Sequence, residues 1–323
     1  MSADKLIFSE LKDYNGFGKS LRIANNNIEI VATLDIGPRI IRLSLPGQEN
    51  IFEENPPVSE PVDGDVWKIY GGHRVWHSPE AFPRSYVPDN SPLEKHEQLD
   101  NGIVMYQKEE PWVQVQKIID LRIMESHVEV TNTLVNKGAW PIEMAVWSLT
   151  VGAKGGREIV PMVQRNTGLL ANRHVVMWPD STMNDPRVYW GQKYIVVDND
   201  VNAKGVFKFG YPNEYGWACY FNHGSCFVKK FHHIRDARYP DFGCSWETYT
   251  ADWGIELECL SPLSIVKPGA SLSLREEWYV LDNIERPDID EASIDRTLEP
   301  IAEKAGIKIP VFEYDGWKNV PDE

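Results

Sequence analysis

Short runs of alternating apolar and polar residues, separated by turn residues at regular short intervals, recur from Leu21 to Leu281. A period of two puts alternate side chains on opposite faces of an extended strand. Many such runs in succession build a sandwich or barrel rather than strand-helix-strand units. Strands are expected at Leu21–Ile23, Ile28–Thr33, Ile40–Leu45, Ile103–Gln107, Trp112–Asp120, His127–Leu134 and Ile142–Val151. Further strands follow at Tyr194–Val197, Val206–Phe209, Trp217–Phe221, Cys226–Phe231, Ser245–Thr250, Ile255–Leu260 and Ser271–Leu281. Asn25–Asn27 and Asn136–Gly138 read as turns, because Asn and Gly accept left-handed backbone. Two segments break the pattern. Pro287–Ala305 spaces Ile289, Ile294, Leu298 and Ile301 as an amphipathic helix, closed by Gly306. Pro56–Pro92, rich in Pro, Gly and aromatics, reads as a long ordered excursion. The expectation is all-β: one large domain over residues 1–285, with a helical appendage and tail over 286–323 packed on it.

Charge removes several classes of partner. The chain of 323 residues carries 33 Lys and Arg against 48 Asp and Glu, a formal net charge of −15. So acidic a surface repels nucleic acid and anionic membrane, since phosphate binding needs clustered cations. No apolar run is long enough to cross a bilayer, and the residues after Met1 show no secretory pattern. Cys219, Cys226, Cys244 and Cys259 form no Cys-x-x-Cys pair and are expected to be free, buried thiols. A cytoplasmic protein is the expectation. Glycine-rich phosphate loops and a Gly-x-Ser-x-Gly elbow are lacking, so no cofactor is expected. Twelve Trp and thirteen Tyr exceed the needs of many cores. Such rings also stack on flat apolar ligand faces, sugars among them. Filling a large β core is the alternative for any one of them.

Three stretches concentrate reactive groups. The first is Tyr70-Gly71-Gly72-His73-Arg74-Val75-Trp76-His77-Ser78-Pro79-Glu80. Paired glycines allow close backbone approach to a ligand. In an extended stretch His73 and His77 share one face, and Arg74 and Trp76 the other. A polar ligand cleft is one reading; a buried cluster pinning a loop is the other. The second stretch is Trp253–Leu260. There Glu256 and Glu258 share one strand face, opposite Ile255, Leu257 and Cys259. Adjacent carboxylates resist double ionisation, which lifts one toward acid–base use. The third, Lys229–Asp241, is a cationic island suited to an anionic group, or a solvated loop. His73 and His77 supply two imidazoles and no further ligand follows at metal spacing, so no metal is expected.

These residues resemble the galactose mutarotase-like superfamily. The matching patches are Gly71–Trp76, the late run Glu256-Leu257-Glu258-Cys259-Leu260-Ser261-Pro262-Leu263, Gly37–Ile40, and Lys267–Gly269 followed by Glu277-Trp278. The resemblance spans about residues 20–282 and implies a β-supersandwich with a sugar cleft on one concave sheet. Family enzymes remove the anomeric hydroxyl proton with a late-strand Glu and protonate the ring oxygen with a His. The resemblance puts Glu258 in the first role, with Glu256 its close competitor. The family's middle-strand His has no counterpart in Ala145–Thr150, so His73 or His77 would supply the acid. Arg39, Arg74, Trp76, Glu256, Glu247 and His233 are the implied substrate contacts, with the two Arg holding ring hydroxyls or an acidic substituent. Two functions follow: an aldose 1-epimerase-like isomerase, or a non-catalytic carbohydrate-binding protein. Either takes a small carbohydrate ligand; the oligomeric state is left open.

Overall fold

A computed structural model describes residues 5–312. Two large sheets face each other, and neighbouring strands run antiparallel. The first has eleven strands and follows the order Ile7–Leu11, Ser20–Ala24, Glu29–Thr33, Ile40–Ser44, His73–Ser78, Ile142–Gly152, Gly254–Leu260, Trp246–Ala251, Phe207–Tyr211, Val176–Met177, with Ser264–Val266 beside Ile142–Gly152. The second has ten, centred on Ser225–Phe231, Ser271–Asp282 and Val128–Asn136. The all-β expectation holds.

Alternation drives the closure. Val75, Val146 and Leu257 of the first sheet, with Val130, Phe227 and Trp278 of the second, fill one continuous core. Burying such side chains stabilises by about 1.5–3 kcal/mol each. The helix Glu291–Ala305 starts at Asp290, whose side chain accepts from the Ser293 amide, and stops at left-handed Gly306. It begins later than the sequence pattern suggests, with Asp290 in extended backbone as its cap. Ile294, Leu298 and Ile301 bury against Ile159, Val196 and Trp217, on the outer side of the second sheet. The end of the expected tail, 313–323, lies outside the described residues.

Pro56–Pro92 departs from expectation. It contains a hairpin, Ser59–Val62 with Asp65–Lys68, and the strand His73–Ser78 in the middle of the first sheet. Its polar and aromatic composition hid that strand, since both its faces are covered. Gly71 and Gly72 also serve a different purpose from the one expected. A Cβ there would come within 2.1 Å of the Glu53 carbonyl and 2.4 Å of the Ile40 carbonyl. They let neighbouring backbone segments approach each other, rather than a ligand.

Candidate functional site

Five adjacent strands of the first sheet turn one set of side chains away from the core. In register, Leu149 faces Arg74 on one side and Glu258 on the other, and Glu258 faces Glu247. In the next row Val151 faces Glu256, Glu256 faces Tyr249, and Tyr249 faces Lys208. Three ion pairs then cross these rows diagonally. Arg74 reaches Glu256 at 2.8 Å, and Lys208 reaches Glu247 at 2.9 Å and Glu258 at 3.0 Å.

Above them opens a cleft of about 290 Å³. Its walls are Trp67, Trp76, Tyr86, Trp147, Trp178, Tyr249 and Trp253, and its charged lining is Glu60, Arg74, Glu80, Asp180, Lys208 and Glu256. The rings form a connected box: Trp76 lies 5.3 Å from Trp67, 4.9 Å from Tyr86 and 5.4 Å from Trp147. The cations are packed on it. The Arg74 guanidinium sits 4.9 Å from the Trp76 centroid, and the Lys208 ammonium 4.7 Å from both Trp147 and Trp178. Such placement orients a cation and removes it from water.

Electrostatics beneath the floor follow from burial. Desolvation alone would push the Lys208 ammonium down, yet Glu247 and Glu258 hold it well above the ordinary lysine range. Burial raises Glu258, opposed by Lys208, and raises Glu247 further. A single buried ammonium cannot compensate two full carboxylates in a low dielectric. The trio reaches neutrality when the two carboxyls share one proton. Each keeps a buried Oε1 without a hydrogen-bond partner, where that proton can sit.

The expected site residues divide. Arg74, Trp76 and Glu256 line the cleft together. Glu258 and Glu247 lie under Lys208, buried, and are absent from its lining. Arg39 is also buried; Asp89 takes its guanidinium at 2.8 and 3.0 Å and the Ile69 carbonyl at 2.9 Å. That leaves Arg39 no role in holding an acidic substituent. His233 is bonded to Ser245 at 2.9 Å and stacked on Tyr239, away from the cleft.

His73 and His77 point into the inter-sheet core, on the face that alternation assigned them opposite Arg74. The His73 ring nitrogens meet Thr150 Oγ1 at 2.8 Å and Asn132 Oδ1 at 2.9 Å. Burial pushes His73 down to about 4 and His77 down to about 3, so both are neutral. His77 has no hydrogen-bond partner at either nitrogen. Neither ring faces the cleft, so an imidazole acid there is not available. The cationic island also dissolves: Lys229 is buried in the core against Glu276, Lys230 pairs with Glu277, and Arg238 with Glu143. Among the described residues no three His, Cys, Asp or Glu gather as a metal site, and no helix is long and apolar enough to cross a membrane. The four cysteines are buried and free.

Sequence reading passed over Lys208, Trp178, Asp180, Tyr249 and Trp253. The signal for Lys208 was present: flanked by Phe207 and Phe209, both core residues, it had to occupy the opposite face of its strand.

No family model matches the sequence, and no curated protein matches it. Solved structures do resemble it. A "putative mutarotase" from Salmonella typhimurium is 12% identical, with a TM-score of 0.52, over 86% of this chain and 94% of that one. A TPR-domain containing protein from Parabacteroides distasonis is 12% identical, also with a TM-score of 0.52, over 86% of this chain; the match spans 51% of that protein. A galactose mutarotase-like protein from Clostridium acetobutylicum is 12% identical, with a TM-score of 0.48, over 86% and 99% of the two chains. At this identity the likeness concerns fold alone: the chain has the galactose mutarotase-like fold.

Proposed function

We propose that the chain is a carbohydrate-active protein whose cleft binds a sugar ring. The carrying observation is the pairing of indole walls with a floor of fixed ion pairs. A pyranose presents apolar C–H faces to rings and hydroxyls to alternating donors and acceptors. Arg74 and Lys208 supply donors, and Glu256 supplies an acceptor. All three are held in place before a ligand arrives, which lowers the ordering cost of binding.

Anomer interconversion is the enzymatic form of this reading. Glu256, rather than buried Glu258, is the carboxylate at the cleft surface. It would take the anomeric hydroxyl proton as the C1–O5 bond opens. The Lys208 ammonium would give a proton to O5, and reclosure on the other face of C1 returns both protons. The non-catalytic reading is favoured by one observation: both imidazoles face the core, and an ammonium held charged by carboxylates is a weak acid.

Calorimetry against a panel of neutral mono- and disaccharides tests binding, and polarimetry with the same sugars tests exchange. Binding is expected in both readings. In the enzymatic one, Glu256→Gln lowers exchange by about 10²–10⁴-fold while sugar binding persists. Binding by the parent without exchange leaves the non-catalytic reading; an absence of any binding removes both.

A further inference from the structure

The charge of the cleft assigns the kind of sugar. We propose, resting on the sugar reading above, that the cleft selects a cationic amino sugar over a neutral one and rejects sugars bearing carboxylate or phosphate.

Every cation on the floor is already neutralised. Arg74 is paired with Glu256, and Lys208 with Glu247 and Glu258. No positive charge is left over for an anionic substituent, and none comes from Arg39, whose guanidinium Asp89 holds on two oxygens. Against this neutral floor, Glu60, Glu80 and Asp180 line the cleft, and among the described residues none of them makes an ion pair, although Glu80 acts on the Lys208 ammonium through space. Glu80 accepts from the Tyr86 hydroxyl, a neutral donor. Three unmatched carboxylates around one concave opening give a negative potential, focused by the apolar rings between them.

One corner of the cleft joins this potential to cation-binding surfaces. Tyr249 and Trp253 lie 5.7 Å apart as a tilted ring pair, both half-exposed. The Asp180 carboxylate acts on Tyr249, contributing to the raised pKa of its hydroxyl after burial and Glu256. Two ring faces beside a carboxylate are the chemistry that holds an ammonium group. The protein uses the same chemistry for its own Lys208, whose ammonium rests between Trp147 and Trp178 and two carboxylates.

Matched probes in two stereochemical series test this by calorimetry: glucosamine, glucose, glucuronate and glucose 6-phosphate, and galactosamine, galactose and galacturonate. At about pH 6, below the range of an α-amino group, the amino sugar is expected to bind about ten-fold tighter than its neutral partner at low salt. That preference shrinks as salt screens the rim carboxylates, and the anionic sugars bind more weakly than the neutral one. In Glu60→Gln/Asp180→Asn the ratio of amino-sugar to neutral-sugar affinity falls toward one. Anionic sugars binding as tightly as neutral ones overturn the proposal, as does an amino-sugar preference unchanged by the double variant. Binding of neutral sugars with no amino-sugar preference overturns this proposal alone. Binding of no sugar at all overturns the underlying reading of the cleft as well.

Discussion

Trp147 and Glu258 form the junction between the cleft and the core of its floor. The Trp147 indole N–H donates to Glu258 Oε2 at 2.8 Å, while its ring lies 4.7 Å from the Lys208 ammonium that binds that same oxygen. Wall and floor are thus one hydrogen-bonded unit.

Lys208→Met removes the only cation within this unit and leaves Glu247 and Glu258 buried. Breaking a buried pair in this way costs about 3–5 kcal/mol near neutral pH. Both carboxyls already have raised pKa values in the folded state. A raised carboxyl favours the fold at low pH and loses that contribution as pH rises, so the variant's deficit should shrink on acidification. Denaturant midpoints at about pH 5 and 8 measure this, and adding Glu247→Gln and Glu258→Gln should recover most of the loss. A single variant as stable as the parent at both pH values contradicts the paired floor.

Glu158 makes a separate contribution to pH dependence. It is fully buried and accepts from Trp246 Nε1 at 3.2 Å and Thr248 Oγ1 at 3.1 Å. Burial pushes its carboxyl up to about 8, against the opposing pull of these hydrogen bonds. Between the ordinary carboxyl range and about 8 the folded state therefore holds a proton that the unfolded chain has lost. Stability falls across that window as pH rises, by up to about 1.4 kcal/mol per pH unit. Glu158→Gln should flatten the fall, seen as denaturation midpoints less dependent on pH between about 5 and 8.

His73→Ala should damage the fold and spare the cleft. It takes one hydrogen bond each from Asn132 and Thr150, which keep Glu276 and Lys229 as partners, and removes a ring packed edge-on to Trp278 at 4.8 Å. The loss is about 2–5 kcal/mol from cavity and lost hydrogen bonds together. In the parent, both imidazoles have lowered pKa values, so they support the fold above about 6.5 and lose that support as pH falls toward about 4 for His73 and about 3 for His77. Calorimetry on folded variant should show sugar affinity within about two-fold of the parent; a larger loss would return an imidazole to the site.

Trp178→Ala removes a half-exposed wall of the cleft that bears little of the core. One aromatic face lost to a sugar should weaken binding by about ten-fold, equivalent to about 1.4 kcal/mol. The melting temperature should move by only a few degrees, because Lys208 keeps both carboxylates and the Trp147 face. Unchanged affinity would place the ligand elsewhere.

Alternation by itself determined the all-β class, most strands and the facing of individual residues. It placed Glu256 and Glu258 together, opposite Ile255 and Leu257, and it separated Arg74 from His73. Those are local properties, fixed by a backbone period of two. Only the tertiary structure decided which face is the cleft, because that depends on what covers each sheet. The second sheet covers His73 and His77, while the hairpin bearing Trp67 and the segment bearing Trp178 rim the opposite face. Depth was equally hidden: Glu256 and Glu258 are two residues apart on one face, yet the diagonal reach of Arg74 and Lys208 leaves one at the surface and the other beneath it. The partners of Arg39, Arg74 and Lys208 come from strands and loops distant in sequence. No local pattern could therefore show that the apparent cations of the site were already neutralised.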